Sequence, residues 1–363
     1  MSALKIIHAA DLHLDSPFEA LGERAAQRRS EQRELLHRLG ALVEEKQADV
    51  LLLAGDLLDS GSTYAETAQS LCRELGELSC PVFIAPGNHD YYCLSSPYAR
   101  LELPENVHVF RSRHMQAVTL PELGVRVWGA AFTDITSPPL LRGFSAEKIP
   151  GMLDVGLLHG DVGRLLSRYN PITTQEIAES GLNYLALGHQ HSGSGLLRAG
   201  SSFYAWPGCA EGRGFDECGE KGVLYVEVEE QVCRAEFIPL AARRYEQLDF
   251  DISQGWSQVN IPAGAGRDIY RLVLRGETEG PADIPRLREL LQGRFYALEI
   301  VDKTTLRSDL WARAEQDSLR GLFLRKMRQR YDCAETEAEQ ESITRAVRWG
   351  LAALDGREAV EQL

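Results

Sequence analysis

The sequence predicts an α/β sandwich, and three observations carry that prediction. Short continuous apolar runs, each ending in polar residues, recur through the first half. Stretches with apolar residues at helical spacing separate the early runs. Two further runs alternate apolar and polar residues with period two.

"LKIIHAADLH" (4–13) is the first run, and its short continuous pattern reads as a strand buried on both faces. A helix follows, with Leu35, Leu36, Leu39, Leu42 and Val43 on one stripe. "DVLLLAGDLLD" (49–59) is the second strand; Ala68, Leu71, Cys72, Leu75 and Leu78 mark the second helix. "PVFIAPGNHD" (81–90), "DVGLLHGD" (154–161) and "NYLALGHQH" (183–191) repeat the strand pattern. "VRVWGAAF" (125–132) and "GVLYVEVEE" (222–230) alternate, as half-buried strands of a mixed or second sheet do. The basic start of "RAAQRRSEQR" (24–33) reads as solvated helix surface, offset by Glu31 and Glu34.

Beyond residue 240 the character changes. "DIYRLVLRGE" (268–277), "DIPRLRELLQG" (283–293) and "FYALEIVDKT" (295–304) read as strand, helix and strand, a small α+β unit without clustered His or Asp. From Leu306 onward the pattern is helical. Leu306, Leu310, Ala314, Leu319, Leu322, Phe323 and Met327 form one apolar stripe; Ile343, Val347, Leu351 and Leu354 form another. "CAETEAEQES" (333–342) between them reads as a cap or linker. The expected divisions are 1–240, 241–304 and 305–363.

Composition narrows the function. With 39 Lys and Arg against 53 Asp and Glu, the net charge is -14. A broad basic surface for nucleic acid is excluded, so any polyanion must be drawn by a local positive centre. No apolar run approaches the ~20 residues of a membrane span. Asp11 and His13 stand where a signal peptide needs apolar residues, so the expectation is a cytoplasmic protein with no membrane partner. Seven cysteines without a C-x-x-C pair predict reduced thiols. The chain carries no G-x-x-x-x-G-K-[ST], hence no P-loop of its own.

Each polar cluster of the first half falls just past the C-terminal end of an expected strand, the edge where α/β sheets place their sites. Five segments supply it: Asp11-x-His13, Gly55-Asp56-x-x-Asp59, Gly87-Asn88-His89-Asp90, His159-Gly160 and Gly188-His189-x-His191. Any one of these histidines alone is better read as structural. Five blocks at five strand ends reverse that judgement. Mixed imidazole and oxygen donors suit Mn, Fe or Zn better than an all-oxygen Mg or Ca site. In extended chain, residues i and i+2 point the same way, so Asp11 with His13, and His189 with His191, reach inward together while Leu12 faces away. The glycines let the backbone turn and approach closely. Asp56, central to the set, is placed to bridge two ions ~3.5–4 Å apart. Two dications bring four positive charges. Asp11 and Asp56 remove two and a bridging hydroxide one, while His13, Asn88, His159, His189 and His191 are neutral. The centre therefore stays positive inside an acidic protein. His89 is left over, and an imidazole there can protonate a leaving oxygen. Asp59 or Asp90 can orient a ring nitrogen or a ligand from behind.

These blocks, D-x-H, G-D-x-x-D, G-N-H-D, H and G-H-x-H in that order, resemble the signature of the calcineurin-like metallophosphoesterase superfamily. "HAADLHLDSPF", "LLHG" and "WPGCAEGRGFDECGEKGVLYVEV" (206–228) are similar to the bacterial SbcD-type DNA-repair exonucleases, in particular a YhaO-like branch. The resemblance implies a four-layer α/β/β/α nuclease domain over 1–240, a small α+β capping domain over 241–304 and a helical C-terminus over 305–363. It implies one metal on Asp11, His13, Asp56 and His191, the other on Asp56, Asn88, His159 and His189, and His89 as catalytic acid. Manganese is the implied metal, DNA the substrate, a homodimer the assembly and an SbcC-like coiled-coil ABC ATPase the partner in double-strand-break repair. Some branches carry His where this chain has Asp59, which leaves the duty of that side chain open.

Arg164 and Arg168, soon after His159, are candidate DNA contacts by position. The same two-metal chemistry serves a phosphomonoesterase or a cyclic-nucleotide phosphodiesterase. A non-catalytic scaffold is the third reading, weakened by the complete donor set. The two C-terminal stripes either anchor the ATPase or complete the capping domain's core.

Overall fold

The computed structural model describes residues 3–60, 64–252, 260–278, 282–306, 311 and 313–354. The chain runs β1 (Leu4–Ala9), α1 (Ala25–Lys46), β2 (Val50–Leu53), α2 (Ala65–Gly76), β3 (Val82–Ile84), α3 (Pro97–Arg100) and β4 (Val107–Val109). It continues through β5 (Gln116–Leu120), β6 (Val125–Gly129), β7 (Leu153–His159), β8 (Asp161–Val162), β9 (Pro171–Ile172) and α4 (Thr174–Glu179). Then come β10 (Tyr184–Gly188), β11 (Leu197–Ala199), β12 (Ser202–Ala205), β13 (Gly222–Val228) and β14 (Cys233–Pro239).

Two six-stranded sheets result, in the orders β14-β13-β1-β2-β3-β4 and β11-β12-β10-β7-β6-β5. Strands β1 to β4 are parallel, as are β12, β10, β7 and β6, and the remaining strands pair antiparallel at the edges. The mixed pairing expected for the two alternating segments is present: β6 joins the second sheet and β13 the first.

Side-chain alternation explains the layers. Ile6, Val50, Leu52, Phe83, Val155, Leu157, Tyr184 and Ala186 face inward and form one core between the sheets. Ile7, Ala9, Leu51, Leu53 and Ile84 face the other way and meet Leu35, Leu36, Leu39 and Leu71 of α1 and α2. On the second sheet's outer face, Leu158, Leu185 and Leu187 pack with Phe132, Ile177 and Trp206. The fourth layer is thin, its α4 only six residues long and closed by a capping box of Thr173 and Glu176. His8 makes two hydrogen bonds across the inner core. The Tyr184 hydroxyl donates to His8 Nδ1 at 2.8 Å, and His8 Nε2 donates to the Leu187 carbonyl at 3.2 Å. Burial holds the His8 pKa down at about 3, so the ring is neutral.

The basic start of α1 departs from expectation. Arg28 is fully buried, not solvated, and donates to Glu31 and to the equally buried Glu211, both at 2.8 Å. Gln32 and Arg28 extend the buried stripe of α1 by one and two turns, and Gln32 donates to the carbonyls of Leu12 and His13.

By internal contacts the chain separates into Met1–Gln247 with Gly264–Tyr270, and Leu248–Ala263 with Arg271–Leu363. Strands β15 (Tyr245–Asp251) and β16 (Ile269–Arg275) contain the division and form a three-stranded sheet with β18 (Ala297–Asp302). The short β17 (Glu277–Thr278) pairs with β19 (Thr305–Leu306), and α5 (Ile284–Leu291) lies between β17 and β18. Asp283 caps α5, with Pro285 in its first turn.

Helices α6 (Leu319–Asp332) and α7 (Glu337–Leu354) complete the second unit. The helical pattern expected from Leu306 starts later. Leu306 lies in β19, Leu310 is outside the described residues, and Ser318 caps α6. Of the polar stretch 333–342, only its first four residues link the helices. The two stripes meet each other: Ala314, Leu324 and Val347 form a cluster with Trp311, Phe323, Met327, Ile343 and Leu351. Leu319 and Leu322, expected on the stripe, are 70% and 50% exposed.

The inner core should govern stability of the first unit. Phe83, 1% exposed between the sheets, should cost ~3–5 kcal/mol when replaced by Ala. A fall in the urea midpoint checks this, with the half-buried Phe203→Ala as the milder control.

Candidate metal centre

The loops after β1, β2, β3, β7 and β10 converge at one end of the two sheets. The first two run side by side beyond their strands: Asp11 N–H donates to Gly55 O, His13 to Asp56 O and Leu14 to Leu57 O. Neither pair reaches the site by strand alternation. Strand β1 ends at Ala9 and β10 at Gly188. Asp11, His13, Asp56 and His189 have φ of 52°, 43°, 51° and 94°. Non-glycine residues rarely adopt that left-handed region, and a cluster of them marks a constrained functional loop. Leu12 does face away, fully buried against α1 and α2.

Among the described residues, donor atoms lie within 4.8 Å of one another in three groups: Asp11, His13 and His191; His13, Asp59 and His89; Asp56, His159 and His189. Asp56 stands between groups, its Oδ2 3.9 Å from His13 Nε2 and 3.4 Å from His159 Nε2. All seven residues expected to hold metal are thus in one cluster, with Asn88 Oδ1 3.1 Å from both His159 Nε2 and His189 Nδ1. Asp11 accepts the His189 N–H on both oxygens.

The donor set calls for positive charge. His159 Nδ1 donates to the Ala54 carbonyl at 2.9 Å. Its Nε2 therefore meets Asp56 and Asn88, both oxygen acceptors. His13 Nδ1 is held by Asp59 Oδ1 at 3.1 Å and His191 Nδ1 by Glu217 Oε1 at 2.6 Å. That leaves the two Nε2 atoms facing each other at 3.3 Å. Acceptors so close repel unless a proton or a metal lies between. The pKa directions agree. Burial pushes Asp11 up to about 7, with Asp56 adding to it. Burial opposes the charge on Asp56 too, but His159, His13 and His89 outweigh it and hold that carboxyl below the usual range. His159 would be lowered by burial, yet Asp56 pulls it up to about 9. Asp11, raised beside Asp56, is the carboxylate here that is short of cation. The residues fit a pair of divalent metals.

His89 is placed differently. It is exposed, its N–H donates to Asp56 Oδ1 at 2.9 Å, and its Nδ1 donates to the Asp59 carbonyl at 3.0 Å. That bond fixes the tautomer and leaves Nε2 free for an incoming group. Asp90 serves the backbone instead. It accepts the N–H of Asp56, Leu57, Leu58 and Gly87 and the Tyr98 hydroxyl. It orients Asp56 through the backbone. Gly87 has a packing reason, since a Cβ there would lie 2.2 Å from Asp56 Oδ1. Arg164 and Arg168 are both exposed, on a loop that lines a cavity with His189.

Four residues of the site escaped sequence reasoning. Glu217 is 4% exposed, and Arg213 ties it to Asp59, donating to Glu217 Oε1 at 2.8 Å and to Asp59 Oδ1 at 3.1 Å. Both belong to the stretch 206–228, whose resemblance was the only signal. Asp161 Oδ2 lies 3.5 Å from His189 Nε2. Trp206 Nε1 reaches the carbonyls of Gly160 and Gly188, joining the ends of β7 and β10.

Comparison with known proteins places this geometry. Residues 4–193 match the family described as Calcineurin-like phosphoesterase, more than half of the 363 residues. The chain is 31% identical over 241 residues to the "Uncharacterized metallophosphoesterase YhaO" of Bacillus subtilis (strain 168), covering 63% of this chain and 58% of that protein. It is 33% identical over 91 residues to the SbcD component of the nuclease SbcCD from the same organism, covering 24% and 22%. To the SbcD component of the Rhodobacter capsulatus nuclease it is 30% identical over 131 residues, covering 35% and 27%. The chain spans less than two thirds of the length of these relatives. By the matched stretch, the two-sheet fold and the donors gathered at its edge, this chain belongs to the calcineurin-like phosphoesterase family.

Proposed function

We propose that this phosphoesterase is a DNA nuclease with two divalent metals, manganese foremost. Asp11, His13, Asp56 and His191 would hold one ion, and Asp56, Asn88, His159 and His189 the other. The observation that carries the reading is the gathering of Asp11, His13, Asp56, Asn88, His159, His189 and His191 at one sheet edge, with His13 Nε2 only 3.3 Å from His191 Nε2. When bound, the ions supply the positive charge that draws a phosphodiester and the acidity that activates water.

The chain's own groups do the rest. Asp59 and Glu217 hold His13 and His191 by their Nδ1 atoms and so aim the Nε2 atoms inward. In this reading Asp59 is an orienting group, paired also with Arg213. With its Nδ1–H held on the Asp59 carbonyl, His89 acts as the imidazolium and gives its Nε2 proton to the leaving oxygen, returning to the neutral ring. DNA as the substrate is supported by the relatives that belong to a nuclease and by the exposed Arg164 and Arg168 beside His189. The same relatives, each named as one component of SbcCD, support a partner subunit; a coiled-coil ABC ATPase acting in trans, a role in double-strand-break repair and a homodimeric nuclease domain are proposed from the resemblance in the sequence motifs alone. No helix among the described residues is long and apolar enough to cross a membrane.

The deciding experiment compares linear DNA with a phosphomonoester, a cyclic nucleotide and a simple phosphodiester in manganese. Cutting of DNA is expected; hydrolysis of the small esters alone would remove the nuclease reading.

Two substitutions test the roles. Asp56→Asn should lose the most metal of any single change, measured by elemental analysis of the purified protein, and full occupancy would refute the bridging role. His89→Gln should keep both metals and lose turnover by ~10²–10⁴-fold, the usual contribution of a general acid. Loss of metal with activity restored by excess manganese would make His89 a ligand instead.

A further inference from the structure

The loop Gly163–Arg168 presents Leu165 and Leu166 to solvent, 68% and 98% exposed. Two large apolar side chains at the mouth of a polar site have no packing role. They are not loose either. Ser167 N–H donates to the Arg164 carbonyl at 2.9 Å, and Ser167 Oγ accepts from Tyr169 N at 3.0 Å while donating to Asp161 Oδ2 at 2.6 Å. Asp161 Oδ2 in turn lies 3.5 Å from His189 Nε2, so the loop is indexed to the metal centre.

Together with Asp161, Tyr169 and His189 the loop lines a cavity of about 640 Å³. That lies within the ~300–1,000 Å³ of small-ligand sites. That volume suits one nucleotide. Arg164 and Arg168, both exposed, bracket the leucines with positive charge. Two leucines are far short of the ~800 Å² per partner that a stable protein interface needs. Apolar side chains of this kind do wedge against bases and unstack them.

We propose that Leu165 and Leu166 form a platform for one nucleobase beside the scissile phosphate, held out of its stack, with Arg164 and Arg168 on the neighbouring phosphates. The proposal rests on the nuclease reading and deepens it. It makes this loop the part that separates nucleotide diesters from other phosphoesters.

The test is a cycle between protein and substrate, using the full chain in manganese. Wild type and the double variant Leu165→Ser/Leu166→Ser are assayed on the dinucleotide TpT, on two analogues each lacking one base, and on bis(p-nitrophenyl) phosphate. The double variant should lower the ratio of TpT to bis(p-nitrophenyl) phosphate turnover by about tenfold or more, as losing a base contact does. Removing one of the two bases should lower the wild-type rate similarly and add nothing in the variant. An unchanged ratio, or losses that multiply independently, overturns the platform. Wild type that hydrolyses bis(p-nitrophenyl) phosphate but neither TpT nor linear DNA overturns the nuclease reading itself.

Discussion

A buried carboxylate must be satisfied inside the protein, and Asp90, 1% exposed, is satisfied mainly by backbone. Four N–H groups from two separate loops converge on it, with the Tyr98 hydroxyl as fifth partner. That arrangement sets the path of residues 56–58 against Gly87. Everything downstream follows from it. Asp56 stands between the histidines of the two sheets only because its own amide and the next two are held. The His89 N–H reaches Asp56 Oδ1 because Gly87 offers no side chain to intervene.

The parts legible in the sequence are those whose cause is local. Strand ends are marked by apolar runs giving way to polar residues, so the five loops and their seven donors could be read directly. The layers followed from the same runs. Backbone conformation was not legible: the pairing of Asp11 with His13 was argued from an extended chain, whereas both residues are left-handed. The conclusion survived because the neighbouring loop carries the same backbone pairing onward. Glu217 and Arg213 were invisible for another reason. Arg213 meets Asp59 across 154 residues of chain, and no spacing rule links such positions. Arg28 shows the converse error. Its basic neighbours suggested a wet surface, but Glu211, 183 residues away, gives it a buried partner.

The C-terminal helices show where periodicity stops short. A stripe predicts that a face is covered, not by what. Here α6 and α7 cover each other around Leu324 and Val347. The register of the contact, set by the turn at 333–336, leaves Leu319 and Leu322 outside it.

The hydrogen bond that joins His8 to Tyr184 has a consequence for the metal centre. Asp11, His13, Asp56 and Asn88 follow strands of one sheet, while His159, His189 and His191 follow strands of the other. Apolar contact between sheets is non-directional and by itself tolerates sliding. A coordination sphere does not, because its bond lengths vary by only ~0.2 Å. His8 lies on β1, three residues before Asp11; Tyr184 and Leu187 lie on β10, just before His189. The ring therefore acts as a dowel between two plates, pinning them close to where their edges must agree. Because burial keeps it neutral, the pin holds across the physiological pH range.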